Sequence, residues 1–227
     1  MSPGNLDPVI HVVAAAVIDA AGRVLIAQRP AGKHMAGGWE FPGGKLEPGE
    51  ERLAGLEREL REELGISLIG IPRPLIRVRH AYPSQEVLLD IWVVKSYGGE
   101  ARGLDGQALR WCTQDELEAA ELLPADKPIV RALRLPERLR QVESRDYRIG
   151  DTAAINDAGL HGVFCTNVDS ALAAARVGAD FLVMCHALGP DELAGLCGLV
   201  PVPVFARGIE LEEAWASGAS GLNEIID

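Results

Sequence analysis

The sequence predicts an α/β fold in two parts, and three observations lead there. Up to about residue 134, strand-like runs surround one amphipathic helix. From residue 150 onward, short apolar runs alternate with helix-like runs, the pattern of βα units that carry a parallel sheet. The charge also divides at this point. Residues 151–227 hold 11 acidic side chains against only Arg176 and Arg207, a balance of −9, whereas residues 1–150 hold 22 acidic and 20 basic ones, a balance of −2. Such asymmetry points to two units with separate histories.

In the first part, residues 9–30, VIHVVAAAVIDAAGRVLIAQRP, read as two strands joined by a turn at 20–22. A loop leads to a helix over 51–64, in which Leu53, Leu56, Leu60 and Leu64 recur at helical spacing and form a core-facing stripe. Two β-rich runs follow at 74–80 and 86–94, then a short strand at 108–112 and a helix over 127–133. The stretch LPERLRQVESRDYR is highly charged and poor in large apolar residues, which reads as a linker. The boundaries expected are a first domain at 8–134, a linker at 135–149 and a second domain at 150–227. In the second domain, GVFCT, FLVMC and VPVFA each precede a helix-like run, and GLNEII is a fourth strand-like run.

Composition narrows the function. A length of 227 residues, 48% of them hydrophobic, supports one large or two small globular domains. The net charge of −11 argues against a nucleic-acid polymer as partner. The first eight residues are polar, and the apolar run over 9–18 is too short to span a bilayer and lacks a basic flank, so neither a signal peptide nor a membrane partner is expected. Cys112, Cys165, Cys185 and Cys197 form no CxxC pair and have no histidine at metal-ligand spacing. Reduced thiols in a cytoplasmic protein are the expectation.

The stretch FPGGKLEPGEERLAGLERELREELGI packs Glu59, Glu62 and Glu63 into five residues. At 100° per residue they share an arc of the helix beside the apolar stripe, where like charges repel. Charge runs of this kind are most often solvated helix faces. Two features point elsewhere. The carboxylates share one side although Arg58 and Arg61 are available to separate them, and Gly43-Gly44 just upstream lets a main chain without Cβ atoms approach a ligand closely. A hard divalent cation with oxygen ligands turns such repulsion into binding energy, most often Mg²⁺ paired with substrate phosphates.

Gly44, five residues, Glu50, seven residues and then RELREELGI from Arg58 to Ile66 resemble the Nudix box, with every fixed position filled. The preceding HMAGGWEFPGGK, residues 34–45, resembles the MutT-type 8-oxo-dGTP diphosphatases, and the likeness covers about 9–135. It implies an α/β/α sandwich with a mixed sheet. It implies that Glu59, Glu62 and Glu63, with the Gly43 carbonyl, hold Mg²⁺, for which Mn²⁺ can substitute. Arg58 orients Glu59 and Glu50 supports the loop. Asp105 stands where the family brings a further acidic ligand, although a plain turn aspartate before Gly106 is an equal alternative. Catalysis is assigned to Glu59, Glu62, Glu63, Arg58 and Asp105. The cations activate a water, which in MutT-like chemistry attacks the β-phosphorus and releases a nucleoside monophosphate and pyrophosphate.

For the substrate pocket the resemblance implies Arg29, His34 and Phe41, against the plainer readings of a surface arginine, a loop histidine and a core aromatic. Asp126 stands where the MutT pattern has a base-reading asparagine. It can accept from a purine edge or take up a proton if buried, and it is also a fitting N-cap for the helix at 127–133. Gln85 replaces an arginine of the pattern. The substrate expected is a nucleoside triphosphate of the 8-oxo-dGTP type, with ADP-ribose or a dinucleotide as the alternative.

The C-terminal motifs GLHGVFCT, AARVGADFLVMCHAL and VPVFARGI resemble the second half of thiamine phosphate synthase and its TenI-like relatives. The likeness implies a partial (βα) half-barrel-like module with about four of a barrel's eight strands. Only one glycine remains at the family's phosphate turn, in Ala206-Arg207-Gly208. A half barrel leaves open edges that need cover, from the first domain or from a second copy in a homo-oligomer. A thiamine-related protein with an accessory first domain is therefore the competing reading.

Overall fold

Strands that are buried on both faces read as continuous apolar runs, and two of these organise the first half of the chain. The computed structural model describes residues 9–30, 32, 35–83, 85–155 and 159–225. In chain order the elements of this half are β1 (Ile10–Val17), β2 (Val24–Gln28), β3 (Trp39–Glu40), β4 (Gly43–Lys45), α1 (Arg52–Leu64), β5 (Ser67–Leu68), β6 (Arg73–Tyr82), β7 (Gln85–Val94), β8 (Tyr97–Gly98), β9 (Leu109–Cys112), α2 (Gln114–Glu118) and α3 (Lys127–Ala132). By its contacts the chain divides into two units, Met1–Pro72 with Val78–Pro128, and Arg73–Arg77 with Ile129–Asp227.

In the first unit, β1 and β7 are the continuous runs and pair in parallel from Ile10↔Val87 to Val17↔Val94. They are the middle of a four-stranded sheet of order β4-β1-β7-β6, mixed because β4 runs antiparallel to β1. β3, β2 and β9 form a second, antiparallel sheet, and β5 pairs with β8. The helix α1 buries Leu56, Leu60 and Leu64 against Val13, Ala15, Val17, Trp92 and Val94. It ends at Gly65, whose left-handed φ of 69° lets its N–H reach the carbonyls of Arg61 and Leu60. Leu53 departs from the expected stripe: it is 36% exposed, and Gly55 occupies the buried face. A Cβ on Gly55 would meet Leu46 at 2.4 Å, so the first turn of α1 packs too closely for a large side chain there.

The second unit is built on β10 (Arg138–Leu139), β11 (Tyr147–Gly150), β12 (Leu160–Cys165), α4 (Val168–Arg176), β13 (Phe181–Met184), α5 (Pro190–Leu199), β14 (Val204–Ala206), α6 (Leu211–Ala216) and β15 (Gly221–Asn223). The six strands form one parallel sheet of order β10-β15-β14-β13-β12-β11. This parallel βα sheet fits the expected half-barrel-like module loosely. Successive residues of β13 serve opposite faces, as a strand requires. Leu182 and Met184 join the core with Ala171, Leu193 and Leu196 of α4 and α5, while Phe181 and Val183 join Leu139, Tyr147 and Phe205. Phe181 stands edge-on to Tyr147 and to Phe205, with centroids 5.8 and 5.7 Å away.

The segment 135–149, expected as a linker, supplies two strands of this sheet, so the sheet has six strands where four were expected. Its few apolar residues are the reason: Leu135, Leu139, Tyr147 and Ile149 are all buried in one cluster. Its charges are paired at the surface, Arg148 with Glu143, and Arg138 and Arg140 with Glu224. Among the described residues, no helix is long and apolar enough to cross a membrane.

Candidate active site

The pairing of β1 with β4 sets Gly43 against Ala14. Gly43 has φ of 151°, and a Cβ there would lie 2.1 Å from the Val13 carbonyl oxygen and 2.5 Å from Ala14 Cα. Only glycine fits. At Gly44 the neighbour is a side chain: a Cβ would lie 2.3 Å from the carboxyl carbon of Glu59. The bare main chain of β4 and the Glu59 carboxylate therefore touch. Glu63, one helical turn later, closes the arrangement, because the Gly43 N–H donates to its Oε2 at 3.1 Å.

Arg58 organises the charges behind this contact. Its Nε and Nη2 donate to the two oxygens of Glu50 at 2.8 and 2.9 Å, and Nη2 also reaches the Lys45 carbonyl at 3.1 Å. Its Nη1 donates to Glu59 at 2.8 Å and Glu62 at 3.2 Å. A guanidinium forks onto carboxylates in this way because its donors are planar and fixed. The bonds from Arg58, helped by the Glu47 N–H, hold the Glu50 carboxyl down at about 2, and the same carboxylates raise the pKa of Arg58.

Glu59 and Glu63 open onto a cleft of about 530 Å³, together with Gly43, Gly44 and Lys45. Another part of its wall is formed by Arg29, Glu40, Phe41, Tyr82 and Asp126. Asp126 is only 4% exposed, and its Oδ1 accepts the Phe41 N–H at 3.3 Å. Burial pushes its carboxyl up to about 7, opposed by that N–H and by Arg29 and assisted by Glu40. Arg29 and Glu40 form an ion pair. Tyr82 is raised as well, by burial first, with Asp126 adding to the rise.

The structure thus brings Gly43, Glu59, Glu63, Arg29, Phe41 and Asp126 to one cleft, with Arg58 behind it. Two expected members are elsewhere. The Glu62 side chain is 60% exposed and turned to Arg58. Asp105 is exposed in the turn before Gly106, its N–H bound to Gln107 Oε1 at 2.9 Å, and is not part of the cleft wall. His34 lies outside the described residues. Glu40 and Tyr82 also line the cleft and were not among the expected residues. Glu40 was legible as the alternate neighbour of Phe41 in WEF, whereas Tyr82 looked like any aromatic in a β-rich run.

Among the described residues, no three Asp, Glu, His or Cys side chains converge as a cation cage. Of the carboxylates that line the cleft, Glu59 and Glu63 are set against the main chain of Gly43 and Gly44, which has no Cβ atoms. This oxygen-only set fits a hard divalent cation that keeps much of its coordination for water and phosphate.

A NUDIX domain is matched over residues 13–132. The chain is 40% identical over 120 residues to the CTP pyrophosphohydrolase of Escherichia coli K12, covering 53% of this chain and 88% of that protein. It is 34% identical over 114 residues to the 8-oxo-dGTP diphosphatase of the same organism, covering 49% and 85%. Its fold is similar to the solution structure of the E. coli ORF135 protein, with a TM-score of 0.51 and 37% identity over 59% of this chain and 94% of that one. The chain belongs to the Nudix hydrolase family.

Proposed function

We propose that the protein is a Mg²⁺-dependent Nudix diphosphatase that hydrolyses 8-oxo-dGTP and related oxidised purine nucleoside triphosphates to the monophosphate and pyrophosphate, clearing them from the nucleotide pool. The observation that carries this reading is the contact of Glu59 and Glu63 with the bare backbone of Gly43-Gly44, in the same cleft as the buried Asp126. Mg²⁺ or Mn²⁺ bound by these carboxylates would neutralise triphosphate charge and lower the pKa of a water near the phosphorus. Arg58 fixes the direction of Glu59 by a 2.8 Å bond, and Glu50 fixes Arg58. Glu62 joins the carboxylate set by leaving Arg58. Asp105 acts at most through an intervening water. Arg29, Phe41 and Asp126 form the base pocket, with Phe41 as its apolar wall, and His34 is a further member on the sequence resemblance alone.

A second reading, hydrolysis of cytidine triphosphates, is supported by the 40% identity to a protein named CTP pyrophosphohydrolase. Assaying 8-oxo-dGTP, dGTP, CTP, ADP-ribose and NADH by kcat/KM, with the products identified, separates these readings. An oxidised purine triphosphate that is not the preferred substrate would count against the first. For the second unit we propose a partial thiamine phosphate synthase-like module without synthase activity of its own, which can support a homo-oligomer.

A further inference from the structure

Asp126 is a carboxyl group of which different nucleobase edges make opposite demands. Ionised, it only accepts, and matches two adjacent donors such as the N1–H and N2 amino group of guanine or 8-oxoguanine. Protonated, it donates once and accepts once, and matches the N3 acceptor beside the N4 amino donor of cytosine. We infer that the proton on Asp126 selects the class of base the cleft takes, guanine-type edges going to the carboxylate and cytosine-type edges to the carboxylic acid. This rests on the reading of the cleft as a nucleoside triphosphate site.

The geometry holds the group in place for such a choice. Asp126 is 4% exposed yet part of the cleft wall, and its main chain is fixed by its own N–H donating to the Leu123 carbonyl at 2.9 Å. Its Oδ1 is tied to the Phe41 N–H, 85 positions away in sequence. The charged and titratable groups facing it among the described residues are Glu40 and Arg29 from the segment preceding Phe41, and Tyr82 from β6. Glu40 and Arg29 pair with one another and act on Asp126 in opposite senses, and burial is the largest cause of its shift. The resulting value of about 7 populates both forms near neutral pH. A cleft of this kind accepts both classes of triphosphate under one condition and discriminates between them under others.

The experiment measures kcat/KM for CTP and for 8-oxo-dGTP with Mg²⁺ from about pH 6 to 8, spanning the Asp126 titration. Triphosphate binding and water activation are common to both substrates, so their pH dependence cancels in the ratio. The expected CTP to 8-oxo-dGTP ratio falls by about tenfold per pH unit in the natural protein and is flat in Asp126→Asn, whose amide does not titrate. Hydrolysis of both compounds with a flat ratio in the natural protein overturns the inference and leaves the hydrolase reading standing. Turnover of neither overturns both. The profile of the natural protein decides the matter even if the variant folds poorly, and an Asp126→Asn ratio that keeps the slope also overturns the inference.

Discussion

Arg58 meets Glu50 through two parallel bonds, Nε to Oε1 at 2.8 Å and Nη2 to Oε2 at 2.9 Å, eight residues apart and joining the helix to the loop before it. The fork leaves Nη1 aimed at Glu59, so the carboxylate at the cleft is positioned by a group that does not itself enter it. Lysine offers one point charge and cannot fork. Arg58→Lys is therefore expected to fold but to lower kcat about a hundredfold through misplacement of Glu59. Steady-state kinetics at saturating Mg²⁺, beside a thermal unfolding curve, checks this, and near-normal kcat would sink the positioning role.

The same fork gives an acid dependence of definite sign. Glu50 titrates at about 2 in the folded protein against an ordinary value near 4.5. Its contribution to stability is thus complete above the ordinary value and is lost as pH falls toward the folded one. The stability advantage of the natural protein over Glu50→Gln is expected to shrink across that window. Asp126 has the opposite sign: its pKa is raised from near 3.8 to about 7, so stability is lost as pH rises between those values. Asp126→Asn should gain on the natural protein over that range. Unfolding midpoints measured across pH for all three proteins test both statements.

The two glycines of β4 make different predictions. A methyl group on Gly43 would strike backbone atoms at 2.1 and 2.5 Å, whereas on Gly44 it would strike the end of the Glu59 side chain at 2.3 Å. Backbone cannot give way cheaply, and a carboxylate can. Gly43→Ala is expected to lose about 2–4 kcal/mol of stability from overpacking and strain at positive φ. Gly44→Ala should stay folded and lose most of its hydrolytic activity because Glu59 is displaced. A folded, active Gly43→Ala protein would contradict the packing described for β1 and β4.

Much of this was legible in the sequence. Leu56, Leu60 and Leu64 announce the buried face of α1 by spacing alone, and the runs that became β12, β13 and β14 announce parallel strands by their alternation with helices. Gly43-Gly44 could be read as a close approach because nothing else requires two adjacent glycines there. Other features depend on partners distant in sequence. Glu62 shares an arc with Glu59 and Glu63, but Arg58 holds it outward. The hydrogen-bond partner of the Asp126 carboxyl is the N–H of Phe41, 85 positions earlier. The strands inside 135–149 were obscured because Leu139 and Tyr147 are isolated among charges, and their burial is decided by β15 and β12.

The second unit is expected to form no thiamine phosphate. Joining two phosphorylated substrates requires cationic and backbone donors; residues 151–227, which carry the likeness, contain Arg176 and Arg207 as their only arginines and no lysine, and Arg138, Arg140 and Arg148 from the preceding strands are engaged by Glu224 and Glu143. Arg207 Nη1 donates to the Ile225 carbonyl at 3.2 Å, which occupies part of its donor capacity within the unit. Incubating the intact protein with a pyrimidine diphosphate and a thiazole phosphate, then assaying the product, tests this. Sustained synthesis would require a phosphate site that these residues do not provide.

The most direct test of the account is the Mg²⁺-dependent turnover of 8-oxo-dGTP by the natural protein beside Glu59→Gln, Glu62→Gln and Glu63→Gln, with products identified. The natural protein is expected to release monophosphate and pyrophosphate only when Mg²⁺ is supplied. Replacing Glu59 or Glu63, which line the cleft, should lower kcat by orders of magnitude, and replacing the outward Glu62 should cost less. Near-normal turnover by Glu59→Gln, or equal turnover with and without the cation, would contradict the assignment of these carboxylates to a catalytic metal site.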